Sequence, residues 1–147
     1  MSILTVLPMN KIRFFYETDF LLENKDSIVN WVKNIISEED KKLLEINYIF
    51  CDDKYLLAEN IKHLGHDTLT DVITFNYCEG DLVSSDIMIS IERVMENSVI
   101  FENSFSKELI RVMAHGVLHL IGYNDKTNKE KKLMKKKEDY YISKYYM

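Results

Sequence analysis

The sequence predicts a single α+β domain in which four or five helices pack on a small, mostly four-stranded sheet. Its 147 residues are 46% hydrophobic and 29% charged, a balance typical of one globular domain with its own core. Segments typical of strands and helices follow one another in mixed order along the chain. The one proline and four glycines are scattered, and no linker, repeat or low-complexity block marks a second domain.

Four β-rich segments are predicted as strands. They are KIRFFYET (11–18), LEINYIFC (44–51), DVITFNY (71–77) and DIMISI (86–91). An acidic turn that contains Gly80 separates the last two segments. These two strands therefore form a hairpin or lie beside each other.

Three helices are predicted before residue 101. They cover approximately residues 26–36, 52–62 and 92–100. Asp26 or Ser27 is the expected cap of the first helix, whose apolar side chains fall on one face. Asp52 and Asp53 open the second.

Two further helices are predicted in the last third of the chain. Ser106 is the expected cap of the fourth helix, with Glu108 in its first turn, where the helix dipole favours a carboxylate. This helix should end near Ile121, with Gly122 in the next position, where a positive φ is common. The fifth helix should begin near Thr127 and run through a lysine-rich segment to the aromatic end.

Two histidines in the fourth helix are the first candidates for chemistry. In VMAHGVLHLI (112–121) they are the only polar side chains, and a helix that is apolar all round is buried. A buried polar group without a partner costs roughly 1–3 kcal/mol. His115 and His119 are spaced i, i+4 and share a helix face, so their rings can converge on one metal ion. The alternative is a core helix whose imidazoles have ordinary hydrogen-bond partners.

Asp125 is the candidate for a third ligand. It follows His119 by six residues, and Gly122 lets the chain turn back between them. Two histidines and one carboxylate, with a position left for water, form a catalytic zinc pattern with one zinc ion per chain. Zinc proteases of the HExxH type carry a glutamate base where this chain has Gly116. A metal-activated water would then be the nucleophile, and no catalytic side chain is identified.

The charge pattern places a basic segment on an acidic protein. The net charge is −5, yet residues 126–137 hold seven lysines and one glutamate. Lys129, Lys132 and Lys136 share a helix face directly after the third candidate ligand. The charge pattern alone favours a solvated helix face, with a basic patch as the alternative.

Cysteine usage and hydropathy favour a cytoplasmic protein without a membrane partner. Cys51 and Cys78 form no CxxC pair and are expected to be free thiols, as suits a reducing compartment. No apolar run approaches the roughly 20 residues that span a bilayer. The start, MSILTVLPMNK, lacks the basic region and cleavage site of a signal peptide.

Three blocks resemble the YbeY-type endoribonucleases, the bacterial rRNA maturation factors. HGVLHLIGYND (115–125) is similar to their H-G-x-L-H-L-x-G-Y-D-H pattern. TDVITF (70–75) is similar to T-D-V-L-S-F, and SDIMIS (85–90) is similar to G-D-I-x-I-S. The blocks lie in family order, and the resemblance covers roughly residues 10–140.

The resemblance implies a small α+β fold with a zinc ion in a cleft. It also implies cleavage of single-stranded RNA, a role in 16S rRNA 3′-end maturation and ribosome quality control, and a cytoplasmic setting. The implied partners are 16S precursor rRNA and ribosomal particles, and no DNA partner is expected. With RNA as the implied substrate, Lys129, Lys132 and Lys136 are the candidate contacts for its phosphates, because an acidic protein needs a basic surface to approach them. His115 and His119 carry over directly as metal ligands.

The chain departs from the family pattern at two positions. Asp125 stands where the family has its last histidine, and Leu64 stands where it usually has an arginine associated with RNA cleavage. His63, His66 or a lysine is a conceivable substitute, although loop roles are favoured for both histidines. These departures keep open a non-catalytic ribosome-assembly factor with a structural metal, and the HxxxH helix keeps open a metallopeptidase.

Further residues were assigned from the sequence. Asp71 is expected to bond backbone groups near the end of the sheet, with orientation of a ligand histidine as the alternative. Asp86 is expected to be a turn or strand-start residue. Asn60 and Asp67 keep their family positions. The aromatic tail YYISKYYM (140–147) is expected to dock on the core.

Overall fold

Four strands and five helices follow one another along residues 10–147, the part of the chain that this computed structural model describes. The strands are β1 (Lys11–Tyr16), β2 (Lys42–Cys51), β3 (Val72–Asn76) and β4 (Leu82–Ser90). The helices are α1 (Lys25–Glu38), α2 (Asp53–Leu64), α3 (Ile91–Ile100), α4 (Phe105–Leu120) and α5 (Asn128–Tyr145). The predicted α+β class, strand number and helix number are confirmed. The interpretation of MSILTVLPMNK falls almost entirely outside the described residues.

The strands form one mixed sheet in the order β1-β2-β4-β3. β1 pairs with β2 in parallel, and β2 pairs with β4 in parallel, so α1 and α2 belong to the connections between parallel strands. β3 and β4 are antiparallel and form the hairpin that the sequence suggested. β3 is therefore an edge strand of the sheet, and it lies next to α4.

The core lies between the sheet and the helices α1, α4 and α5. α4 is buried along most of its length, as its apolar sequence predicts. The Tyr48 hydroxyl from the sheet donates to the Met113 carbonyl of α4 at 3.3 Å. The Trp31 indole of α1 donates to the Tyr141 carbonyl of α5 at 2.7 Å. The aromatic tail is therefore partly docked on the core, as expected, through Tyr141 and Ile142.

Two of the predicted helix starts are confirmed. The Asp52 carboxylate accepts from the Tyr55 amide at 2.8 Å, which caps α2. Thr127 and Glu130 form a reciprocal capping box at the start of α5.

The other two predicted caps are wrong. Ser104, not Ser106, caps α4, and its hydroxyl accepts from the Lys107 amide at 3.1 Å. This register makes Phe105 the first helical residue, and its ring packs against Phe20 at 5.8 Å. α1 begins after Asn24, which has a positive φ and makes no side-chain cap, so neither Asp26 nor Ser27 caps that helix.

Cysteine state and hydropathy also match the sequence. Cys51 is buried, Cys78 is half-buried, and both are free thiols. Within residues 10–147, every helix is too short or too polar to cross a membrane.

Candidate metal centre

Gly116 allows α4 to approach the sheet closely. A Cβ atom at this position would lie 3.2 Å from Ile87 Cγ2 and 3.7 Å from Thr74 Cγ2. Ile87 belongs to β4 and Thr74 to β3, so the glycine faces the hairpin. Its neighbour His115 is thereby held beside the start of β3, at the rim of a cavity.

The two histidine rings are parallel and one helical turn apart. Their centroids are 6.4 Å apart, and their planes differ by 2°. His115 Nδ1 lies 2.8 Å from Glu138 Oε2, and His119 Nδ1 lies 3.2 Å from the Tyr123 carbonyl oxygen. Both partners are acceptors, so each Nδ1 carries the proton. When the ring is neutral, its Nε2 lone pair is free to bind a metal ion.

Asp125 returns to His115 after the turn at Gly122. Gly122 has a φ of +116°, which confirms the predicted conformation after the helix end. An Asp125 carboxylate oxygen lies 3.4 Å from His115 Nε2, the nitrogen that is free for a ligand. His115, His119 and Asp125 all line one cavity of about 540 Å³.

The three side chains are of types that bind zinc, but they lie farther apart than the ligands of a bound ion. Two imidazole nitrogens and one carboxylate are ordinary zinc ligands. Among residues 10–147, no three His, Cys, Asp or Glu side chains already have the spacing of a closed metal cluster. Binding an ion would therefore require the His119 and Asp125 side chains to draw toward His115.

Glu138 of α5 contacts two residues of α4, His115 and Arg111. Its side chain is buried, and its second oxygen accepts from Arg111 Nη1 at 2.9 Å. Burial by itself would lower the pKa of His115. The hydrogen bond that His115 donates to Glu138, together with the negative charges of Glu138, Asp125 and Asp71, outweighs burial and raises that pKa. Protons therefore compete with a metal ion for His115 as the pH falls.

Asp71 lies in the same cavity, where its alternative role of orienting a ligand histidine stays a prediction. Its backbone carbonyl accepts from the Ser90 amide at 2.9 Å, a structural contact within the hairpin. Its carboxylate accepts from Asn97 Nδ2 at 3.4 Å and lines the cavity. Burial raises the pKa of this carboxyl group, while the charge of His115 opposes that rise.

The segment that contains Leu64 forms the opposite wall. Leu64 ends α2 and lines the cavity, as does His66. Asn60 is buried and donates to the Thr68 carbonyl at 3.1 Å, which fastens this segment to α2. His63 contacts Glu59 at 2.9 Å and stands edge-on to Phe75, outside this cavity.

The structure places Asp86 in the middle of β4, not in a turn or at the start of a strand as the sequence predicted. Its carboxylate accepts from Asn47 Nδ2 at 3.0 Å and from the Tyr77 hydroxyl at 3.5 Å. These partners belong to β2 and to the end of the β3–β4 hairpin. Asp86 therefore joins strands and does not line the histidine cavity.

The predicted lysine face points away from both histidines. Lys129, Lys132 and Lys136 are exposed on the side of α5 opposite the buried Met134. Lys131 and Lys135, one helical turn apart, instead line a second cavity of about 1010 Å³ that also contains His115 and Asp125. The RNA-contact role of the first three lysines stays a prediction.

Sequence reasoning missed Glu138 and Arg111. Glu138 ends a lysine-rich run, and no local motif distinguishes it there. Arg111 precedes His115 by one turn, so its presence on the same face of α4 was available from helical spacing. Its partner Glu138, on α5, could not be predicted from this spacing.

The comparisons with known proteins now decide the family. The family model described as endoribonuclease YbeY matches residues 16–146. The chain belongs to the endoribonuclease YbeY family. An endoribonuclease YbeY of Flavobacterium johnsoniae is 48% identical over 92% of this chain and 98% of its own length. That of Flavobacterium psychrophilum is 55% identical over 87% and 91% of the two chains.

A solved structure supports the same fold. The solution structure of TM1509 from Thermotoga maritima matches with a TM-score of 0.66 at 28% identity. The match covers 92% of this chain and 89% of that one. The resemblance stated from the three sequence blocks is therefore confirmed, and membership of an endoribonuclease YbeY family supports RNA cleavage as the activity.

Proposed function

We propose that this chain is a zinc-dependent endoribonuclease that cuts single-stranded RNA in 16S rRNA 3′-end maturation and ribosome quality control. The observation that carries the proposal is the hydrogen bonding of the two histidines. Glu138 and the Tyr123 carbonyl each accept from an Nδ1 atom, and both Nε2 atoms remain free in a cavity that contains Asp125. Carboxylate and backbone partners of this kind orient metal-binding histidines.

The residues of the site have distinct roles in this proposal. His115, His119 and Asp125 hold one zinc ion, and Glu138 and Tyr123 fix the orientation of the two rings. A bound zinc ion would supply a more acidic water and neutralise charge on the phosphoryl oxygens. No side chain is assigned as a catalytic acid or base.

A single strand suits the shape of the site better than a duplex. The candidate ligands lie within a cleft bordered by the start of β3, the segment that contains Leu64, and α5. An unpaired strand can place one phosphate inside such a cleft, whereas a rigid duplex presents its phosphates on a broad surface. In the cell, the proposed partners are 16S precursor rRNA and ribosomal particles, in the cytoplasm. Lys129, Lys132 and Lys136 remain candidates for contact with that RNA.

The position after His115 argues against the metallopeptidase alternative. In the HExxH pattern, a glutamate at that position is the general base. Here Gly116 faces Ile87 and Thr74 of the sheet, where even a Cβ atom would be in tight contact. The sequence supplies no base at that position, and the packing disfavours a larger side chain there.

Cleavage of labelled RNA by metal-replete protein tests the proposal. We expect cutting of a single-stranded RNA, little cutting of the matched duplex, and loss of cutting in His119→Ala. His63→Ala is the matched control, because His63 is an exposed histidine outside the cavity. The proposal fails if metal-replete protein leaves single-stranded RNA intact both alone and with ribosomal subunits. Binding to ribosomal particles without cutting would favour the non-catalytic assembly factor.

A further inference from the structure

A groove leads away from the candidate metal centre between α4 and α5. It is the cavity of about 1010 Å³, and it shares His115 and Asp125 with the smaller cavity. Arg111 contacts Asp139 and His115 contacts Glu138, so the two helices run in opposite directions along it. One end of the groove is at Asp125, and the other is at Phe101 and Tyr146. We call this cavity the α4–α5 groove.

Exposed charges of both signs line the α4–α5 groove, where three lysines outnumber two carboxylates, Asp125 and Asp139. Two of its carboxylates, Glu138 and Asp139, are held by Arg111 at 2.9 and 3.0 Å. A third, Glu108, is buried and accepts from Asn103 Nδ2 at 3.4 Å. The lysine side chains on the groove walls are exposed, and one of them, Lys135, also contacts Asp139 at 3.4 Å. They are Lys107 of α4 and Lys131 and Lys135 of α5.

Two aromatic rings stand at the far end of the α4–α5 groove. Phe101 is 62% exposed and Tyr146 is 55% exposed, which is unusual for side chains of this size. The Tyr146 ring is oriented by an edge-on contact with Tyr145 at 5.0 Å, and Tyr145 in turn packs edge-on against the buried Trp31. The Tyr146 ring is therefore held in place from below while its outer surface stays open.

Lysines followed by open aromatic rings are what a single nucleic-acid strand requires. Ammonium groups neutralise phosphates, and aromatic faces stack on unpaired bases. A protein of net charge −5 needs such a local surface to hold a polyanion. We propose that the α4–α5 groove is a binding subsite for the single-stranded RNA segment that flanks the cleavage position. Lys107, Lys131 and Lys135 contact its phosphates, and Phe101 and Tyr146 stack on its bases.

This inference rests on the proposed function, but its test does not require cleavage. Binding of a short fluorescein-labelled single-stranded RNA is measured by fluorescence anisotropy, with a chelator present so that no cutting occurs. The groove variant carries Lys107→Ala, Lys131→Ala and Lys135→Ala. Each lysine that contacts a phosphate contributes about 0.7 to the salt dependence of single-strand binding. We expect the slope to fall by about 2 and the affinity to fall about a hundredfold at about 0.1 M salt.

A second variant distinguishes the loss of contacts in the groove from a general loss of positive charge. Lys129→Ala, Lys132→Ala and Lys136→Ala remove the same charge from the outer side of α5, and we expect a clearly smaller loss of affinity. Phe101→Ala with Tyr146→Ala should weaken binding about tenfold or more without changing the salt slope. Thermal melting of each variant checks that the fold is retained.

The outcomes distinguish this inference from the proposed function. Equal losses in the two lysine variants, or a larger loss in the outer-face variant, would overturn the groove as the subsite while leaving RNA cleavage untouched. Wild-type protein that binds no single-stranded RNA even at low salt would also overturn the assignment of the groove as an RNA-binding subsite. The separate cleavage assay would then decide the proposed function.

Discussion

Glu138 Oε2 lies 2.8 Å from His115 Nδ1, across 23 residues of sequence. The same carboxylate is held by Arg111, which stands on α4 one turn before the histidine. This arrangement joins α4 to α5 and leaves Nε2 of His115 directed toward Asp125. The relationship between Glu138 and His115 is therefore the structural basis for treating His115 as a ligand.

Glu138→Gln tests this relationship through metal affinity. An amide can keep the shape of the contact but is a weaker acceptor, and loss of such a partner typically lowers metal affinity 10–100-fold. We expect zinc affinity, measured by competition with a chromophoric chelator, to fall by about tenfold. Asp139→Asn is the matched control, because Asp139 contacts Arg111 without touching His115. Equal zinc affinity in wild type and Glu138→Gln would remove Glu138 from the metal site.

The features of the site that could be predicted from the sequence are those whose partners lie close by in the chain. His115 and His119 are one turn apart, Gly122 follows the helix, and Thr127 and Glu130 cap each other within four residues. Glu138 was not readable, because its partnership depends on how α5 docks against α4. Its sequence neighbours are mostly lysines, so burial of this one carboxylate has no local signature.

The start of α4 shows the same limit on a smaller scale. Ser104 and Ser106 are both good capping residues, and local propensity does not choose between them. The choice follows from packing, because capping by Ser104 makes Phe105 helical and lets it contact Phe20. A distant aromatic ring therefore decides a boundary that the local sequence leaves open.

Gly116→Ala tests the close approach of α4 to the sheet. Alanine would gain about 1 kcal/mol of helix propensity. Its methyl group would meet the fully buried Ile87 at 3.2 Å, and such overpacking typically costs about 1–3 kcal/mol. We expect a net loss of about 1 kcal/mol in the free energy of unfolding, measured by urea denaturation, and a larger loss in Gly116→Val. A stabilised Gly116→Ala protein would show that the helix and sheet are not in tight contact.

Glu39 should make stability depend on acidity. Burial would raise the pKa of its carboxyl group, but hydrogen bonds from Tyr123 and Tyr141 and the contact with Lys137 outweigh burial and lower it below the usual 4.5. The folded state therefore binds the proton more weakly than the unfolded state. This contribution is fully present above about pH 4.5 and is lost as the pH falls through the lowered pKa.

Glu39→Gln removes this titration. We expect the variant to lose about 1–2 kcal/mol in the free energy of unfolding at neutral pH. We also expect its stability to change less than that of wild type as the pH falls below 4.5. Glu23→Gln, at an exposed carboxylate, is the charge-matched control. Parallel stability curves for wild type and Glu39→Gln, measured by denaturation across this pH range, would contradict the assigned role.

Zinc content tests the central claim most directly. Wild type, Asp125→Asn and Asp139→Asn are purified without chelator or affinity-tag metal and analysed by elemental mass spectrometry. Binding through His115, His119 and Asp125 predicts about one zinc ion per chain in wild type and Asp139→Asn, and a sharp reduction in Asp125→Asn. Equal zinc in all three proteins would move the third ligand elsewhere, with His66 of the same cavity the first residue to test. Wild-type protein that binds no zinc, even after zinc is supplied, would contradict the metal site itself.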